Sequence, residues 1–336
     1  MKIIYRLFLC LFIVGLTTPA LTERNTEDPL IAIVKVRAVV PESARTAAAL
    51  GTEREGSGVV IDSNGLILTI GYLIMEAESI EVVVGSAAPV SATFIAYDHE
   101  TGFGLLRIVS PIDVGPVELG SSADLKKGDP VLVAAHGGVE NASRAYVLSR
   151  GEFAGYWEYL LDSAIYIAPA HPNFGGAALI GPDGRLLGIG SIITSMTVPG
   201  YGQVPGNMFV PIDLLKPIRQ SLVETGRSPL PVRPWLGVFL EESHGRVIVT
   251  RVATESPAEK AGLQPGDIIL TVNREPVSTL ADCYRRIWAI GNAGVDVPLE
   301  VLKRSEIQVL KVQSADRYQY LHIQPVKAGQ QKTYSF

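Results

Sequence analysis

Residues 168–179 read APAHPNFGGAAL, and this stretch decides how the chain folds. It has the frame of a nucleophile loop: a strand end, a tight turn, one exposed position, and two glycines that let the backbone close around an oxyanion. The exposed position, where such a loop presents a serine, is Phe174. Two residues earlier, where the loop supplies a backbone N–H to the oxyanion, stands Pro172, which has none to give.

Outward from this loop, short Val/Ile/Leu-rich runs alternate with turn residues, and the chain holds 33 Gly and 22 Pro among its 336 residues. Alternation predicts strands over 30–40, 79–84, 91–97, 103–108, 130–135, 164–167, 185–193 and 207–211. The run GSGVVIDSNGLILTIGYLI at 56–74 predicts a hairpin, because Asn64-Gly65 between two apolar runs is a strong tight-turn signal. Ten or more strands with no long helix imply an all-β fold built as a pair of β-barrels. Leu214, Leu215, Ile218 and Leu222 have helical spacing over 212–225, stopped by Gly226. Pro229, Pro231 and Pro234 mark 227–234 as a linker. Beyond it, two strands (WLGVFL, RVIVTRV), a turn-rich run at 256–273, a helix over 280–290 and strands at 297–302 and 307–312 describe a second, smaller domain. The domains expected are 28–226 and 235–325, followed by a polar, disordered tail at 326–336.

Lys2 and Arg6, the apolar run LFLCLFIVGL and the small-residue end T-T-P-A describe a secretory signal peptide over 1–20, cleaved near Ala20. The apolar run is short against the ~20 residues that span a bilayer, so the expectation is an exported, periplasmic protein with no other membrane contact. Net charge is −5 (29 basic, 34 acidic residues), with no basic run that would suit nucleic acid. Cys10 lies in the leader, leaving Cys283 alone in a helical pattern, where a buried inert thiol is expected. No metal-binding spacing or phosphate loop is present in the sequence, so no metal and no cofactor is expected.

Together these motifs resemble, in order and spacing from about residue 31 to 321, the high-temperature-requirement (HtrA/Deg) family of exported trypsin-like serine proteases with a C-terminal PDZ domain. The resemblance implies a chymotrypsin/trypsin-like double β-barrel followed by a PDZ domain, a small β-barrel with helices. The family's T-N-N-H-V-I is matched by TIGYLI, placing Tyr72 at the histidine. Its D-x-x-T-D-L-A-V-L-K is matched by DHETGFGLLR at 98–107, placing Gly102 at the aspartate. Its G-N-S-G-G-P-L is matched by PNFGGAAL, placing Phe174 at the serine and Pro172 at an oxyanion-hole donor.

Acyl transfer needs a hydroxyl nucleophile, a base for its proton and a carboxylate to hold that base. Phe174 supplies no nucleophile, Tyr72 with a pKa near ~10 is a poor base, and Gly102 has no side chain. On this reading the triad is degenerate and the chain is no enzyme. Among the histidines, His171 beside the loop and His99 near Gly102 are candidates for a relocated base, and surface or loop positions are the simpler reading. Phe174 and Tyr72 are expected to meet and fill the cleft with aromatic surface.

The resemblance places the PDZ carboxylate-binding loop at Trp235, Leu236, Gly237 and Val238, with Tyr284 and Ile287, at helical spacing with Leu280, facing either the groove or the core. The function expected is that of an exported pseudoprotease that binds peptides, unfolded segments or protein C-termini, active HtrA-type proteases among them. The alternative is a serine-type endopeptidase of periplasmic protein quality control with residual or rerouted activity, and a third reading is a scaffold with a closed PDZ groove. Homo-oligomerisation is left open.

Overall fold

The computed structural model describes residues 29–198 and 200–323. The leader expected over 1–20, with its expected cleavage near Ala20, and the tail expected at 326–336 lie outside the described residues.

Two closed six-stranded barrels come first. The first is built from β1 (Ile33–Val39), β2 (Glu53–Val60), β3 (Leu66–Ile70), β4 (Ser79–Val83), β5 (Val90–Tyr97) and β6 (Phe103–Ile108), with a four-residue helix α1 (Ala47–Leu50) between β1 and β2. The strand order around this barrel is β1-β2-β3-β6-β5-β4. The Asn64-Gly65 turn forms as expected: the Asp62 carboxylate accepts the N–H groups of Asn64 and Leu66, and Gly65 takes φ +70. The second barrel comprises β7 (Pro130–Ala134), β8 (Ala142–Gly155), β9 (Tyr159–Ala168), β10 (Ala178–Ile180), β11 (Leu186–Val198) and β12 (Gly202–Pro211). Its order is β10-β11-β12-β9-β8-β7.

β8 and most of β9 fall where no strand was read from the sequence. Their polar and half-buried positions weaken the alternation on which that reading relied. The helix expected over 212–225 is also corrected. Pro217 has no N–H to donate, and the segment divides into a 3-10 turn (Ile212–Leu214) and α2 (Arg219–Thr225), closed by Gly226 at φ 73.

The barrels share one apolar core, in which Val34, Val59, Leu68 and Leu105 of the first pack with Ala178, Leu186, Met208 and Val210 of the second. Across that seam the Ser57 N–H donates to the Gly175 carbonyl at 2.8 Å. This bond ties the nucleophile-type loop of one barrel to a strand of the other.

The C-terminal sheet runs β13 (Val238–Ser243), β14 (Arg246–Val252), β15 (Ile268–Val272), β17 (Asp296–Lys303) and β18 (Glu306–Gln313), with β16 (Glu275–Pro276) beside β15. Helices α3 (Pro257–Lys260) and α4 (Leu280–Ala289) each have a capping hydroxyl, from Ser256 and Thr279. The core of this domain includes Leu160 of β9, so its apolar packing continues into the second barrel.

A last short helix, α5 (Arg317–Tyr320), returns to the first barrel. Tyr318 is buried with Met75 and Tyr97 and stands edge-on to His99 at 4.7 Å between ring centroids. The Arg227 guanidinium lies over the Tyr318 ring at 4.3 Å. Truncating this buried ring, Tyr318→Ala, is expected to cost about 3 kcal/mol, read as a lower urea midpoint of unfolding.

Candidate functional site

Two places combine sequence-predicted site residues. In the cleft between the barrels, Tyr72 sits on a 3-10 turn (Gly71–Leu73) just after β3. Its hydroxyl donates to the Ser191 carbonyl at 2.9 Å, and burial pushes its pKa up. A Cβ at Gly175 would stand 2.9 Å from that hydroxyl. Tyr72 therefore fills space behind the loop. Tyr72 also packs against the apolar core, and Phe174 is half-buried.

Gly102 takes φ +82, at the end of a turn closed by the Asp98 carboxylate, which accepts the N–H and the hydroxyl of Thr101. The Gly102 carbonyl accepts the Gly71 N–H at 2.7 Å, bringing positions 102 and 72 together through the backbone. The Tyr159 hydroxyl donates to the Thr101 carbonyl at 2.6 Å and lies 3.0 Å from where a Cβ on Gly102 would be. The volume beside Gly102 is thus taken by a side chain from β9.

Gly176 has φ +74, and a Cβ there would meet the Ser57 carbonyl at 1.9 Å. Close approach of two backbones accounts for this glycine without any catalytic role. Gly176→Ala is expected to destabilise the chain by about 2 kcal/mol or more, seen as a lowered thermal midpoint.

His99 and His171 lie in loops but are buried, while His244 and His322 are exposed. His171 is buried, its N–H donating to Asn207 Oδ1 at 2.6 Å and its Nδ1 accepting the Asn173 N–H. His99 is buried against Tyr318; burial, with the Arg317 charge beside it, drives its pKa down, and the ring stays neutral. His136, which sequence reading did not single out, places Nδ1 3.1 Å from Ser57 Oγ and Nε2 4.0 Å from Glu55. Burial and then Lys35 lower its pKa, while Ser57 is itself buried and also accepts the His136 backbone N–H.

The second place is the loop 235–238. Trp235 is fixed by a two-way backbone bridge to Ala315 and by its ring against Tyr320 at 4.3 Å. Gly237, at φ +84, turns the next peptide so that consecutive N–H groups face one point. At that point stands the Glu158 carboxylate. Oε2 accepts from Leu236 at 2.9 Å, and Oε1 accepts from Gly237 at 2.7 Å and Val238 at 3.0 Å. Burial raises the Glu158 pKa, and the three donors act against that shift.

Glu158 belongs to the turn between β8 and β9, and sequence reading missed it. The available signal was weak: an aromatic-rich turn, Tyr156-Trp157, ending in an acid. Beside it, the Leu240 N–H donates to the Tyr156 carbonyl at 2.8 Å. On α4, Leu280 and Ile287 are buried in the core, whereas Tyr284 also reaches the groove. Its hydroxyl donates to the Gly155 carbonyl at 2.8 Å and accepts the Glu158 N–H at 3.3 Å. Cys283 is buried in the same helix and burial raises its pKa, as expected of an inert thiol. A thiol reagent should label Cys283 only when the chain is unfolded, a contrast that a paired labelling assay reads directly.

Comparison with known proteins agrees with this architecture. Residues 56–189 match the trypsin-like peptidase domain, and residues 234–313 match the PDZ domain. A probable periplasmic serine endoprotease DegP-like of Pseudomonas fulva (strain 12-X) is 27% identical over 292 residues, which is 81% of this chain and 59% of that protein. Its namesake in Bartonella henselae is 30% identical over 275 residues, 76% of this chain and 52% of the relative. The chain thus spans little more than half the length of these relatives. The solved structure of the HtrA-type protease AlgW with a decapeptide has the same fold at 21% identity, covering 86% of this chain and 96% of that one with a TM-score of 0.51. These relatives are named serine endoproteases, which overturns the expectation that the chain is no enzyme.

Proposed function

From a trypsin-like peptidase domain followed by a PDZ domain, the organisation of the HtrA-type proteases, we propose a serine-type endopeptidase of exported protein quality control whose PDZ groove recognises free C-terminal carboxylates. The observation that carries the recognition half is the convergence of three consecutive N–H groups, from Leu236 to Val238, on one carboxylate. A peptide C-terminus offers the same charge and the same acceptor geometry, and the edge of β13 offers a strand to pair with. The AlgW structure, solved with a decapeptide, supports peptide recognition by this kind of chain. Export is supported by the leader-like first twenty residues and by the periplasmic naming of the relatives. Protein C-termini, those of partner proteases included, are the ligands proposed.

For the hydrolytic half, we place Tyr72, Gly102 and Phe174 at the positions of the histidine, aspartate and serine, and Pro172 at an oxyanion donor. Cleavage here is then residual or rerouted. A rerouted site has its parts beside the loop: the Ser57 hydroxyl, the neutral His136 imidazole that accepts its proton, and the Glu55 carboxylate on the far ring nitrogen. Ser57 is buried, so substrate reaches its hydroxyl only after a local opening of the fold.

Two measurements test these halves. Peptides with free C-termini should bind saturably, and their C-terminal amides should bind at least about tenfold more weakly; equal binding of the two sets would remove the carboxylate reading. In a casein-type assay, cleavage that is lost in Ser57→Ala supports the rerouted site, and cleavage retained there assigns the chemistry elsewhere. No cleavage by the parent chain or by Phe174→Ser combined with Tyr72→His overturns the endopeptidase half.

A further inference from the structure

We infer that the turn at 155–159 is an internal ligand of the PDZ groove, and that an incoming C-terminal peptide binds by displacing it. The inference rests on the carboxylate reading of the groove and adds what that reading lacks, a resident competitor within the chain.

The turn meets the groove on three sides. Glu158 takes all three N–H groups of the carboxylate loop. Tyr156 accepts the N–H of Leu240 on β13, an edge of the sheet, where an added strand would form its ladder. Tyr284, from the helix beside the groove, binds both the Gly155 carbonyl and the Glu158 N–H. These are a carboxylate contact, a strand contact and a helix contact, made together within the four residues 155–158. A peptide terminus needs the same three N–H groups, and two carboxylates held at one set of donors repel each other. Occupancy by one excludes the other.

Glu158 also holds φ +56, a region that non-glycine residues seldom adopt and keep when their surroundings over-determine it. In a three-residue hairpin loop this left-handed position favours glycine. At Glu158 this backbone accompanies a carboxylate held by three N–H groups.

Displacement has a second end. The next residue, Tyr159, donates to Thr101 and lies against Gly102 in the cleft between the barrels. Peptide arriving at the groove therefore loosens a side chain packed in that cleft, and by linkage whatever orders the cleft strengthens the resident turn.

The test uses the full chain and two variants, Glu158→Gly, which removes the carboxylate and relaxes the backbone, and Glu158→Gln, which keeps the shape without the charge. Amide hydrogen exchange over 236–240 is followed without peptide, and binding of a library of free-carboxylate hexapeptides is titrated. Faster exchange over 236–238 in Glu158→Gly and an apparent affinity at least about tenfold tighter than the parent's, with Glu158→Gln between the two, are expected. Unchanged exchange in Glu158→Gly overturns the internal ligand, even where peptides bind all three proteins. Faster exchange with no peptide bound by any of them keeps the internal ligand and removes the peptide reading. If Glu158→Gly lowers the unfolding midpoint of the whole chain, the parent decides alone: peptide must release protection at 155–159, and binding without that release overturns the inference.

Discussion

A buried carboxylate held by three backbone N–H groups is the contact on which the arrangement of this molecule turns. An ionised group away from water is costly unless its oxygens are satisfied. Glu158 meets that demand with donors from a different domain. The contact fixes the path of the β8–β9 turn, the aim of the loop after Trp235 and the seam between the second barrel and the C-terminal sheet. Leu160, two residues on, enters the apolar core of that sheet and extends the seam with packing that has no polar requirement.

The cleft between the barrels obeys a different constraint, the close approach of backbones. Gly176 and Gly190 each sit where a side chain would overlap a neighbouring carbonyl, that of Ser57 and that of Phe174. The nucleophile-type loop therefore keeps its shape for reasons of packing, whatever stands at its tip. Tyr72 and Tyr159 add to this by taking space behind and beside the loop through hydroxyl-to-carbonyl bonds. Loop shape and side-chain chemistry are thus separately determined, which is why the frame at 168–179 predicts the fold whatever residue stands at its tip.

Much of the architecture was legible in the sequence because it depends on local signals. The Asn64-Gly65 turn and the stop at Gly226 each follow from turn and cap chemistry that acts over a few residues. Pro217 is a local signal too, and a helical spacing rule that ignored it joined two elements into one. β8 was hidden because a strand between two half-exposed environments has no clean alternation. The carboxylate loop was found from its own residues, but its occupant was not: Glu158 lies 78 residues before Leu236, and nothing near it announces the partner. His136 was passed over for the same reason, since its neighbour Ser57 lies 79 residues away. Side chains whose role is set by a distant segment are readable only once the topology has brought the two together.

The two long hairpins of the second barrel differ in what changes of length they can absorb. Between β11 and β12, Tyr201 is 83% exposed, so residues gained or lost beside it disturb little else. The turn joining β8 to β9 is pinned at successive positions: Tyr156 on a strand edge, Glu158 in the N–H loop, Tyr159 against Gly102 and Leu160 in a core. One residue inserted or deleted there would rotate every following side chain to the opposite face. Diverging descendants of this chain should therefore vary freely in length at the first tip and hold the second to the residue.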